Sequence, residues 1–163
     1  MDSPAVEIAK ELLRRHPGLS CAPVDVETLA AAEGLECVYW PFRGSVKEVK
    51  QGNVVGLAEG VDRAERRYLI AHSLGHHLMH TGNQLSFYHQ QFGMCARTER
   101  EANLCAAHIL IPEEELAKVW DLEVWEIAEH FDVPEELAQQ RVNDFATERE
   151  IARWEREQDD AIA

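Results

Sequence analysis

The stretch Tyr68–His80, YLIAHSLGHHLMH, carries two histidines four positions apart, His72 and His76, in a segment that reads as helix from Asp62 to about His80. Residues four apart on an α-helix lie about 40° and 6 Å from each other, so both imidazoles project from one face and can chelate a single tetrahedral ion. Gly75, one residue before the second histidine, is costly in mid-helix, which predicts that another chain segment passes close by. His77 and His80 show that histidine is plentiful here. Spacing alone therefore leaves open a pair of ordinary surface or core histidines.

A second segment narrows the choice. In Thr98–Pro112, TEREANLCAAHILIP, the residues Glu99, Ala102, Ala106 and Ile109 fall on one helical face, and the two alanines allow another helix to pack close. Glu99 then sits at that junction. Two imidazoles and a carboxylate from a second helix make the His₂Glu set of a catalytic zinc site, with the fourth position left to water. The alternatives are a glutamate favoured at a helix N-terminus by the macrodipole, a site using Glu101 on a different face, and a thiolate site built on Cys95 or Cys105.

Around these segments the chain reads as mainly helical α+β. Ser3 and Pro4 start a first helix, Asp25 caps a second that Gly34 closes, and ECVYWPF (36–42) reads as a strand. A turn at Gln51-Gly52-Asn53 predicts a hairpin, so a small antiparallel sheet is expected beside the metal helix. Residues 83–98 read as loop, and a helix follows from about Thr98 to Leu110, ended by Pro112. LEVWEIAEHF and PEELAQQRVNDF have the rhythm of a helix-turn-helix, and the tail 146–163 is helix-prone with only Ile151 and Trp154 to bury. The 163 residues are expected to form one domain, with its core over about 25–145.

Composition limits the partners. Thirty acidic against sixteen basic residues give a net charge of −14, which repels a phosphate backbone and suits a solvated surface or a basic protein partner. No stretch is long and apolar enough to span a bilayer, the N-terminus lacks the order of a signal peptide, and four scattered cysteines suit free thiols, so a cytoplasmic location is expected.

YLIAHSLGHHLMHTGNQL followed by EREANLCAAHILIPEEEL resembles the ImmA/IrrE family of metallopeptidases, whose pattern runs A-H-E-L-G-H-x-L-L-H and then E-x-x-A-x-x-F-A-x-x-L-L-x-P. The resemblance covers roughly residues 25–145. It implies a gluzincin-like fold and zinc as cofactor. It also implies His72, His76 and Glu99 as zinc ligands, and a protein substrate, a helix-turn-helix repressor encoded on a phage or mobile element. Two departures stand out. Cys105 replaces an aromatic, a change of packing. Ser73 replaces the glutamate of H-E-x-x-H, the group that takes a proton from the attacking water and passes it to the leaving amine. Serine does neither. Two readings follow: a peptidase in which Glu101, His77, Tyr88 or His89 takes over proton transfer, and a weak or inactive peptidase-like module that acts by gripping a protein.

Between Asp121 and Phe145 eight acidic side chains face Arg141 alone among lysines and arginines. The protein should therefore show no micromolar, salt-dependent binding to mixed-sequence duplex DNA in a gel-shift titration. Such binding would show that the helix pair reads nucleic acid.

Overall fold

The computed structural model describes residues 3–79 and 92–162, apart from the side chains of 92–95, 155 and 157–162. The capping chemistry predicted at the N-terminus forms: the Ser3 side chain accepts from the Val6 N–H, Pro4 opens α1 (Pro4–Arg15), and Ala5, Ala9 and Leu12 are buried. Asp25 accepts from the Thr28 N–H and starts α2 (Val26–Ala32), after which Gly34 turns the chain at φ +81°.

Three strands follow: β1 (Glu36–Trp40), β2 (Glu48–Gln51) and β3 (Val54–Ala58), ordered β1-β3-β2. The hairpin between β2 and β3 is antiparallel, as the turn residues predict, and Gly52 sits in it at φ +59°. The sheet as a whole is mixed, because β1 pairs with β3 in parallel, Glu36 opposite Val54 through Trp40 opposite Ala58. Residues 41–47 carry the chain past β3 to its far edge, so the hairpin returns β3 in the direction of β1. Val55 and Leu57 of β3 are fully buried and belong to the same core as Ile70, Ala71 and Leu74.

The central helices are α3 (Arg63–Met79) and α4 (Phe92–Leu110). Helix α4 begins at Phe92, where the sequence reads as loop up to Thr98. Among its early residues Ala96 and Arg97 are exposed, and positions that bury nothing add no apolar period to read. The rest of the expected loop, 83–91, lies outside the described residues. After the single turn α5 (Glu113–Leu116) come α6 (Val124–Phe131) and α7 (Glu135–Ile162). No breaker separates Phe145 from the tail, so both belong to one 28-residue helix, with Ile151 and Trp154 exposed on it.

The pair α6 and α7 packs Ile127, Phe131, Leu137, Ala138 and Phe145 into the core, and an arginine of α3 ties down the end of α6. Arg67 of α3, almost fully buried, donates to the carbonyls of Asp132 (2.9 Å) and Phe131 (3.3 Å) at the C-terminus of α6, where a positive charge complements the helix dipole. Arg141 is itself fully buried, its guanidinium 3.4 Å from Glu148, so the one arginine of that acidic segment offers nothing to a phosphate. No helix among the described residues is long and apolar enough to cross a membrane.

Helices α3 and α4 pack at close range, and Gly75 is the reason. A Cβ at that position would lie 3.1 Å from the Ala102 carbonyl oxygen and 3.3 Å from the Cys105 Cβ. Overpacking of this kind costs about 1–3 kcal/mol, while alanine in place of glycine returns up to about 1 kcal/mol of helix propensity. Gly75→Ala should therefore be net destabilising by about 1 kcal/mol in guanidinium denaturation of the metal-free protein. A variant as stable as the parent would show that α4 can yield at this contact.

Candidate metal centre

The register set by Gly75 against Ala102 places Glu99, one turn before Ala102, beside the paired histidines. His76 Nε2 lies 3.2 Å from His72 Nε2. Glu99 reaches His72 Nε2 through Oε2 at 3.3 Å and His76 Nε2 through Oε1 at 3.2 Å. Ligand atoms about 2.0–2.1 Å from a tetrahedral ion stand about 3.3 Å apart, so this triangle has the edges such an ion needs. Among the described residues His72, His76 and Glu99 form the group that could hold a metal ion, with their donor atoms within 4.8 Å of one another.

The surroundings aim the imidazole. His72 Nδ1 lies 2.8 Å from Asn103 Oδ1, which also accepts from the Tyr68 hydroxyl at 2.6 Å. The amide oxygen, holding a proton on Nδ1, leaves the Nε2 lone pair directed at the cluster. Asn103 sits one residue beyond Ala102, on the α4 face turned toward α3. Burial, helped by Glu48 and Glu99, raises the Tyr68 hydroxyl above its usual range and keeps it a donor.

Ser73 is fully buried where α3 meets the sheet. Its hydroxyl donates to Oε1 of Glu48, the first residue of β2. Glu48 is paired across the hairpin with the fully buried Leu57, and cross-strand partners share a face, so its carboxyl is directed inward where an apolar residue would be usual. Burial, reinforced by the nearby Glu99 carboxylate, pushes the Glu48 carboxyl up to about 7, with Lys50 opposing. Glu48 is the residue that sequence reading missed. Its only signal was a glutamate at the even positions of a half-buried strand, which weak alternation could not separate from a solvent-facing one.

A family model described as the IrrE N-terminal-like domain, a peptidase M78 domain, matches residues 37–143. The chain belongs to this family. The match takes in the sheet from the second residue of β1, the His72, His76 and Glu99 cluster, α6 and the start of α7. No curated protein matches the chain. A Mycobacterium tuberculosis transcriptional regulator of known structure is similar with a TM-score of 0.62 at 16 % identity, over 81 % of this chain and 44 % of that one. At that identity the likeness is one of fold. The chain spans less than half the length of that regulator.

The other sequence candidates lie elsewhere. Glu101 bonds Arg97 one turn away at 2.9 Å. His77 Nε2 is 3.0 Å from the Glu33 carbonyl at the end of α2. His108 is buried, with Nε2 4.0 Å from Glu148 of α7. Cys105 is buried against α3, and burial pushes its thiol up to about 12, which leaves it protonated rather than a thiolate ligand. His80, Tyr88 and His89, and the side chain of Cys95, fall outside the described residues.

The geometry separates two glutamates that are two residues apart. Glu99→Ala should reduce zinc affinity by roughly 100-fold or more, because loss of a group that only orients a ligand already costs about 10- to 100-fold. Asn103→Ala should fall in that smaller range, and Glu101→Ala should change little. Competition titration against a fluorescent zinc chelator reads all three, and a larger loss in Glu101→Ala than in Glu99→Ala would overturn the assignment.

Proposed function

We propose that this chain is a zinc-dependent protein of metallopeptidase type, in which His72, His76 and Glu99 hold one zinc ion and the site acts on a protein partner. The observation that carries this reading is the triangle of two imidazole nitrogens and a carboxylate with edges of 3.2–3.3 Å, which suits a tetrahedral ion with one open position. Bound zinc would polarise a scissile carbonyl and lower the pKa of a water at the open position to about 7.

The chain's own residues supply the rest. Asn103 fixes the His72 tautomer, and the Tyr68 hydroxyl fixes Asn103. Strand β2 edges the sheet next to the cluster, and its outer side suits an extended peptide joining by main-chain hydrogen bonds. The partner class is a helix-turn-helix transcriptional repressor of a phage or mobile element, as the family resemblance implies. The likeness to a transcriptional regulator and the net charge of −14, which favours a basic protein over nucleic acid, support that choice. A second reading, a binding module that grips its partner without cutting it, is favoured by one observation: serine at 73.

Protein expressed in zinc-supplemented medium should carry about one zinc per chain by mass spectrometry. It should cleave a helix-turn-helix repressor from its own genetic neighbourhood, and a chelator should abolish the cleavage. An intact repressor held in a stable complex would select the binding module. Folded protein with no zinc after supplementation would reject both.

A further inference from the structure

We propose that Glu48, delivered from β2, is the proton acceptor of this site, standing in from the sheet for the carboxylate that helix α3 lacks at Ser73. The proposal rests on the reading of the centre as a zinc peptidase site. It begins with size. Serine in place of glutamate leaves room at a fully buried position of α3, and a carboxylate from across the interface with the sheet reaches it, where the Ser73 hydroxyl donates to it. The replacement and the hydrogen bond form one arrangement, in which the serine orients what it cannot itself supply.

The placement of Glu48 is otherwise unfavourable. Its inward face is set by pairing with Leu57, and it brings a second carboxyl into the field of Glu99. Two carboxylates converging in a partly desolvated site repel one another. A merely structural partner for Ser73 would be satisfied by a glutamine or a backbone carbonyl without that repulsion. A carboxylate is required when the group has to take up and give back a proton.

The step balances without any further reactant. Glu48 takes a proton from the attacking water while the water oxygen bonds to the scissile carbonyl carbon. As the C–N bond breaks, the same proton passes to the leaving nitrogen, giving one carboxylic acid and one amine with no change of oxidation state. Glu48 is not in the cluster His72, His76 and Glu99, and this distinguishes a proton acceptor from a fourth ligand that would close the site.

Glu48→Gln tests this, since glutamine keeps an acceptor for the Ser73 hydroxyl but cannot take a proton. Zinc affinity should stay within a few-fold of the parent, while cleavage of the repressor or of an unfolded protein substrate falls by about 10²- to 10⁴-fold. A second readout needs no substrate. Acetohydroxamic acid chelates zinc and gives up a proton to a neighbouring carboxylate, so its affinity for the zinc-loaded variant should fall about tenfold or more. In the double variant Ser73→Glu with Glu48→Gln the carboxylate returns to the helix, and hydroxamate binding and cleavage should recover. A large loss of zinc affinity in Glu48→Gln would make Glu48 a ligand and overturn the proposal. Equal hydroxamate binding by zinc-loaded parent and variant would overturn it even if no substrate had been found. A parent protein that binds no zinc would instead remove the reading beneath it.

Discussion

The approach of α3 to α4 across Gly75 and Ala102 is the constraint on which the rest depends. Helix axes come this near only where side chains are absent or small, and here one helix offers a hydrogen atom against the other's main chain. Once Gly75 and Ala102 are in register, the consequences are set by helical geometry. Glu99, a turn earlier on α4, meets the nitrogens of His72 and His76, and Asn103, the next residue along, meets the opposite edge of the His72 ring. A metal centre tolerates errors of only about 0.2 Å in ligand distance. A shift of a few tenths of an ångström between the helices would therefore be felt by any ion held there before it was felt in the core.

Charge works against this packing unless something offsets it. The protein is strongly acidic, yet it places the largely buried Glu48 in the field of the exposed Glu99, and the carboxyl of Glu48 is pushed up to about 7 by burial and by that neighbour. A divalent cation on the His72, His76 and Glu99 cluster would relieve this locally, so electrostatics as well as geometry would favour a cation there. Elsewhere cations are taken up within the fold: Arg67 anchors the end of α6, and the buried Arg141 pairs with Glu148 two turns along α7. The surface of the helix pair is left acidic, so its resemblance in rhythm to a DNA-reading motif does not extend to its chemistry.

The exchange at Ser73 is intelligible only across the interface between helix and sheet. Viewed along α3 alone, the serine is a deletion of function. Viewed with β2 in place, it is the donor of a hydrogen bond to a carboxyl that feels the charge of Glu99.

Local chemistry determined much of this protein. Caps at Ser3 and Asp25, the turn at Gly52, the helix carrying His72 and His76 and the alanine face of α4 are all properties of residues a few positions apart, and each forms where the sequence places it. The pairing of Glu99 with the histidines was legible too, because helical periodicity fixes which residues share a face. Tertiary structure decided what periodicity cannot reach. The parallel partnership of β1 with β3 depends on where a seven-residue link carries the chain. The early start of α4, with Ala96 and Arg97 exposed, and the run of α7 past the exposed Ile151 and Trp154 leave little apolar pattern to read. The arrival of Glu48 at Ser73 depends on the register of a four-residue strand against Leu57, and a slip of one residue would have turned that carboxyl to solvent.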